Sequence, residues 1–323
     1  MPSLQSRLFY FMIKNRHLFR GQWKQPAWDE NTSIQAFRDQ CEREAAKAPM
    51  PEGVVVQPVK IDGLPEGLNA EWLVPAGAPA TPVIFYTHGG GYISGSCSDH
   101  RALVGKLAKG AGMRLLLFEY RLAPEHPFPA AVEDTLTAYR WLLAQGFEAR
   151  NIVIAGESAG GGLALAALLA FKDTGLPLPA AGVVMSAMTD LTMSGESHRT
   201  RVKQCLSPLG MAEICCNVYM GDNDPKHPWI SPLFGDLRGL PPLMVVAGDY
   251  EIYRDDAMLF AEKAKAAGVE TTLRIGPEMV HVFPLLAPFF PEATAQLEEI
   301  CAFINKHAGA EKQQDTIGTA YAA

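Results

Sequence analysis

The sequence predicts an α/β protein whose mostly parallel sheet is covered by helices, and three observations carry that prediction. From residue 54 onward, short apolar runs alternate with helix-period segments, the order in which strands and covering helices follow one another in such folds. The runs PVIFYT (82–87), RLLLFE (114–119), NIVIA (151–155), GVVMSA (182–187), LMVVA (243–247) and TTLRI (271–275) are largely apolar, as strands covered on both faces are. Between them, in residues 131–145, Val132, Leu136, Tyr139 and Leu143 fall at i, i+4, i+7 and i+11, a single helical stripe. Leu297, Ile300, Cys301 and Ile304 form a second one.

Taken in chain order, VVVQPVK (54–60) carries Pro58, which has no N–H for a ladder and therefore suggests an edge strand. NAEWLVP (69–75) alternates as a half-covered neighbour does, so these two are expected to open the sheet in antiparallel pairing. The central domain is expected over residues 49–306. Two segments stand outside the alternation: residues 1–48, aromatic and helix-prone (Phe9, Phe11, Phe19, Trp23, Trp28, Phe37), and residues 190–225. Both are expected to form a cap over the strand ends, with its aromatic side chains either shaping an apolar pocket or gluing the cap to the core. A helix is expected over 256–267, and the tail 307–323 has too little apolar surface to order itself.

The 323 residues are enough for one α/β core with an accessory piece. A composition of 48% hydrophobic and 20% charged residues, with a net charge of −7, has no basic excess to attract nucleic acid. The six cysteines show neither a CxxC pair nor the spacing of a disulfide framework, so reduced thiols and a cytoplasmic location are expected. The apolar run at 8–13 is far below the ~18 residues that span a bilayer, so neither export nor membrane contact is expected.

Chemistry enters at Gly156-Glu157-Ser158-Ala159-Gly160, between the run 151–155 and an apolar helical segment. This G-x-S-x-G pattern fits a strained turn that lifts a serine hydroxyl above the sheet, with glycines where the crossing chains leave no room for a side chain. A dinucleotide-type turn is the alternative, but G-x-G-x-x-G and its following acidic residue are missing. Upstream, His88-Gly89-Gly90-Gly91 follows another strand, where a loop free of side chains can aim backbone N–H groups into the same pocket.

A serine hydroxyl needs a base, and the base needs an orienting carboxylate. Of the eight histidines, His281 follows strand 271–275 at the same sheet end as Ser158. His88 is better placed to brace the glycine loop, His198 and His227 fall in the expected cap, His307 in the tail, and His100 and His126 have no assigned role. Asp249, Glu251, Asp255 and Asp256 all follow LMVVAG, and spacing alone leaves the acid open among them, although helix capping and dipole compensation account for at least one of the last two.

In order along the chain, HGGGY (88–92), YRLAPEHPFPAAVED (120–134), GESAGG (156–161), DLTMSGES (190–197), GDYEIYRDD (248–256) and HVF (281–283) resemble the bacterial hormone-sensitive lipase family of carboxylesterases, over about residues 50–306. The resemblance implies the α/β-hydrolase fold with a helical cap. It implies Ser158 as nucleophile, His281 as base, Glu251 as the orienting acid, and the amides of Gly89, Gly90 and Ala159 as oxyanion donors. Residues 120–125 would support the site from beneath. Three departures stand out: Glu251 and Glu157 where the family more often has aspartate, and HVF for H-G-F.

By this resemblance the chain takes a small ester substrate, with no metal and no cofactor, and pairs as a homodimer along the edge strand from Thr271 to Ile275. The expected activity is hydrolysis of short- to medium-chain esters through an acyl-enzyme. Lactones or other acyl substrates, and a catalytically silent binding protein on the same fold, are the alternatives.

Overall fold

A computed structural model of the chain describes residues 2–15 and 27–308. Phe19 and Trp23 of the expected cap, and residues 309–323 of the expected tail, lie outside the described residues. The eight anticipated strands are all present: β1 (Val54–Val59), β2 (Ala70–Pro75), β3 (Val83–Thr87), β4 (Arg114–Phe118), β5 (Ile152–Glu157), β6 (Ala181–Met185), β7 (Leu243–Gly248) and β8 (Thr271–Gly276). They form one sheet in the order β1-β2-β4-β3-β5-β6-β7-β8. β1 pairs with β2, and β2 with β4, in antiparallel fashion; the remaining pairs are parallel. The edges are β1, which contains Pro58, and β8.

Strand pleating divides the core in two. Successive side chains point to opposite faces, so Val83, Phe85, Leu116, Phe118, Ile152 and Ile154 enter one cluster, whereas Ile84, Tyr86, Leu115, Leu117, Val153 and Ala155 enter the other. The first is covered by α4 (Ala130–Ala144), α5 (Ala159–Asp173) and α7 (Arg254–Ala266), the second by α3 (Cys97–Ala111) and α8 (Pro291–His307). Every residue of α5 from Ala159 to Phe171 is buried, which explains why this helix reads as apolar all round rather than as a stripe. Within the first cluster Phe85 stacks on Phe118 with ring centroids 5.0 Å apart, and Tyr139 on Phe171 at 4.0 Å. Among the described residues no helix is long and apolar enough to cross a membrane.

Among the described residues, the other helices longer than four residues are α1 (Leu4–Lys14), α2 (Ile34–Ala45) and α6 (Met211–Met220). Tyr10 of α1 donates to the carbonyl of Gln204 at 3.1 Å, and Phe9 packs on Phe290. Arg38 of α2 donates to the carbonyls of Ile93 and Ala123 at 2.6 and 2.9 Å and pairs with Glu125 at 2.7 Å. On α6, Tyr219 stacks on Tyr92 at 3.7 Å.

Helix α7 begins two residues before the expected 256, and Asp255 and Asp256 both lie in its first turn, where their charge complements the helix dipole, but neither provides the cap. The N-cap is Tyr253, which makes no side-chain cap bond. Instead, Asp256 accepts the N–H groups of Thr189 and Asp190 at 2.9 and 3.0 Å and contacts His198 Nε2 at 2.7 Å, while Asp255 accepts the N–H of Ser197 at 2.8 Å. Together they fasten the 189–198 segment to α7. Burial pushes the Asp256 carboxyl upward, and His198 and the two amides oppose that shift.

Substituting Asp256 by alanine removes one buried partner from a group that is itself left unpaired, a change that costs about 3–5 kcal/mol in comparable buried pairs. Asp256→Ala is expected to lower the unfolding free energy by that amount, read in urea as a lower midpoint at unchanged slope; a loss under about 1 kcal/mol would contradict this role.

Candidate active site

Ser158 is the single residue between β5 and α5, and its backbone lies at φ 55°, ψ −124°, a region that L-residues seldom occupy. Three hydrogen bonds hold it there. Its N–H donates to Met185 O at 2.8 Å, and its carbonyl accepts the N–H groups of Gly162 and Met188, both at 3.1 Å. The flanking glycines are there for want of space: a Cβ on Gly156 would stand 2.4 Å from Gly160 O, and one on Gly160 would stand 2.2 Å from both Thr87 O and His88 O.

His281 follows β8 and reaches Ser158 Oγ with Nε2 at 3.0 Å. Its Nδ1 lies 2.5 Å from Glu251 Oε2. Glu251 is fully buried, and its other oxygen accepts Ser186 Oγ–H at 2.9 Å and the Gly248 N–H at 2.5 Å. The acid left open by spacing is thus the one in contact with the imidazole. Asp249 pairs with Arg201 and Arg254 at 2.9 and 3.0 Å, and Asp255 with Arg254.

Ser186 escaped the sequence reading. It leaves β6 at φ 52°, donates to Glu251 and accepts the Val282 N–H at 2.8 Å, so one hydroxyl couples the acid to the loop carrying His281. Its signal was positional: it ends the strand next to β5, at the sheet end where the site assembles.

The glycine loop is fastened peptide by peptide. A trans peptide is planar, so anchoring its C=O sets the direction of the N–H on its opposite edge. His88 O accepts the Tyr120 hydroxyl at 2.6 Å; Gly89 O accepts His88 Nδ1–H at 2.8 Å; Gly90 O accepts the N–H of Ser94 at 3.0 Å and its Oγ–H at 2.9 Å. Burial, with His100 nearby, pushes His88 down to about 4, so it stays neutral and donates. The bracing roles anticipated for His88 and for Tyr120 are thereby realised.

One expectation needs correction. The Gly89 N–H is already engaged, donating to Glu157 Oε1 at 2.6 Å, because a buried carboxylate must find donors. The amides of Gly90, Gly91 and Ala159 form no hydrogen bond among the described residues. Gly91 therefore takes the place in the amide cluster that the resemblance gave to Gly89.

Gly90 and Gly91 line a cavity of about 260 Å³ together with Ser158 and His281. Its apolar walls come from Leu103, Met188, Met211, Cys215, Tyr253 and Val282. The aromatic residues of 1–48 that the structure describes do not line it. Trp28 packs on Phe37 at 5.0 Å and Phe9 on Phe290 at 5.3 Å, so they join helices, and the 190–225 segment supplies the wall through Met211 and Cys215.

Comparison with known proteins shows the family of the chain. The model of the alpha/beta hydrolase fold family matches residues 84–285. An acetyl-hydrolase from Streptomyces hygroscopicus is 43% identical over 242 residues, 75% of this chain and 81% of that protein. An esterase from Acinetobacter venetianus is 35% identical over 276 residues, covering 84% and 89% of the two chains. The crystal structure of an esterase from the bacterial hormone-sensitive lipase family superposes with a TM-score of 0.85 at 37% identity, over 96% of this chain and 100% of that one. The chain belongs to the alpha/beta hydrolase fold family and, within it, to the hormone-sensitive lipase group of esterases.

Proposed function

We propose that the chain hydrolyses short- to medium-chain carboxylic esters by acyl transfer through Ser158, with His281 as base, Glu251 as orienting acid and the amides of Gly90, Gly91 and Ala159 as oxyanion donors. The observation that carries this reading is the unbroken line from Ser158 Oγ through His281 to Glu251, at 3.0 and 2.5 Å, beside three amides that have no internal acceptor.

In the first half-reaction His281 Nε2 takes the hydroxyl proton while Oγ attacks the ester carbonyl. Negative charge develops on the carbonyl oxygen, where the three amides receive it; each such donor contributes about 10²–10³-fold in rate. His281 then gives its proton to the departing alkoxide, and the acyl group remains on Ser158. Water repeats the attack, again losing its proton to Nε2, and His281 returns that proton to Ser158 Oγ as the acyl–oxygen bond breaks and the acid leaves. Throughout, Glu251 holds the Nδ1–H and offsets the positive charge that the imidazole acquires twice per cycle.

The cavity supports a small acyl group. Its volume lies at the lower edge of the range of about 300–1,000 Å³ typical of ligand pockets, and Met211 and Cys215 close one side. Against p-nitrophenyl esters from acetate to laurate, kcat/KM is expected to peak at or below hexanoate and to fall at least tenfold by laurate. A profile rising to laurate would overturn the substrate range.

Ser158→Ala should lower kcat by about 10⁵–10⁶-fold on every ester of that panel, and short-chain turnover surviving the change would defeat the mechanism. Glu251→Gln is expected to lower kcat by about 10³–10⁴-fold, since the amide no longer enforces the productive tautomer, whereas Asp255→Asn stays within about threefold. Steady-state kinetics that ranked the two in the opposite order would move the acid elsewhere.

A further inference from the structure

A cluster of buried charges lies directly behind the glycine loop, and the acyl-transfer steps do not use it. Glu157 is 3% exposed. Its Oε1 accepts the Gly89 N–H at 2.6 Å and sits 2.9 Å from His100 Nε2, while Oε2 accepts the Tyr86 hydroxyl. The opposite nitrogen of His100 contacts Asp99, whose carboxylate also takes the Ser96 N–H at 2.9 Å within the capping box of α3. A single line of contacts thus runs from the start of α3 to the first peptide of the loop. Of the three peptides from His88 to Gly91, this is the one held on its N–H edge by a side chain, and that side chain is in turn held by His100.

We infer that His100, held through both ring nitrogens between Asp99 and Glu157, is a positioning residue that locks the Glu157 carboxylate onto the Gly89 N–H and so directs the following two amides toward the carbonyl oxygen of the substrate. The inference rests on the acyl-transfer reading above. The glycines themselves cannot supply this rigidity: Gly90 and Gly91 sit at φ 111° and 66°, in a loop with no side chains to pack. An ionised Glu157 without a cation beside it would be a lone buried charge, and a neutral Glu157 would be a weaker acceptor for Gly89.

Charge on the surrounding elements favours the imidazolium. Burial lowers the affinity of His100 for its proton, but the Asp99 and Glu157 carboxylates outweigh burial and raise it to about 10. On β3 and its loop stand Tyr86, whose phenol burial holds well above its usual range, and His88, 5.1 Å away between ring centroids and neutral. On the α2 side, Glu42 accepts the hydroxyls of Ser96 and Ser98, and the Cys41 thiol is pushed by burial to about 11. Because the folded value is raised, the ordering is fully present at neutral pH and is lost as pH climbs through about 10.

The test measures kcat and KM for p-nitrophenyl butyrate from pH 6 to 10.5 in the wild type, His100→Gln, Glu157→Gln and the double variant, with active sites counted by sulfonylation of Ser158. The expected result is a kcat per active site lowered about 10–100-fold in His100→Gln, with KM within about threefold and the double variant no worse than the more impaired single variant. The wild type should lose kcat as pH rises through about 10, and His100→Gln should lack that limb. A kcat per active site within twofold of wild type, or effects that multiply in the double variant, would overturn the inference alone. A wild type inactive on every ester would overturn the acyl-transfer reading and the inference with it. Should His100→Gln fail to fold, ¹⁵N-histidine NMR of the wild type decides. One imidazolium persisting at pH 9 supports the arrangement, and eight neutral rings at that pH refute it.

Discussion

Everything at this site depends on how closely two chain segments cross. The β3 loop passes over the turn from β5 to α5 so tightly that Gly160 has the carbonyls of Thr87 and His88 where a Cβ would otherwise stand. That contact places the Ser158 hydroxyl and the amides of the glycine loop within one small volume, and it holds Ser158 in a backbone region that only surrounding structure can maintain. Parallel strands make the crossing possible, since β3 and β5 are neighbours in register, Thr87 opposite Gly156, and both end on the same side. The loops after β6, β7 and β8 end there too, which is why Ser186, Glu251 and His281 can meet although they are far apart in sequence.

Buried polarity is concentrated around that crossing, and its bonds run in a consistent direction. Two carboxylates, Glu251 and Glu157, are withdrawn from water and each binds one backbone N–H as well as an imidazole. The first imidazole meets the serine hydroxyl, and the second meets Asp99. A carboxylate in an apolar interior is stable only when its oxygens are saturated with donors, so each of these sites draws neighbouring backbone into a fixed position. Ser186 extends this around Glu251 and Tyr86 around Glu157. The same chemistry that prevents an unpaired buried charge also aligns the groups that face the cavity.

Much of this was legible in the sequence, for identifiable reasons. The strands were visible because central strands buried on both faces leave long apolar runs, and β1 declared itself an edge through Pro58. Ser158 and the glycine loop were visible because close backbone approach admits only glycine. What stayed hidden depends on side-chain reach. Which amides of the glycine loop face the cavity is decided by Glu157, one methylene longer than the aspartate common at its position, and no spacing rule encodes that. His100 had no assigned role because its two partners come from an adjacent residue and from a strand end 57 positions away. Asp255 and Asp256 looked like helix-capping residues, since one turn of helix cannot reveal that a distant segment folds back onto it.

In the proposed reaction the Ser158 oxygen carries the acyl group between the two halves of the cycle. Rapid-quench peptide mass spectrometry during turnover of p-nitrophenyl butyrate reads this step out. A transient butyryl mass is expected on the peptide that contains Ser158, forming with p-nitrophenol release and decaying as butyrate appears. Sustained hydrolysis with that peptide unmodified at every time point would contradict it.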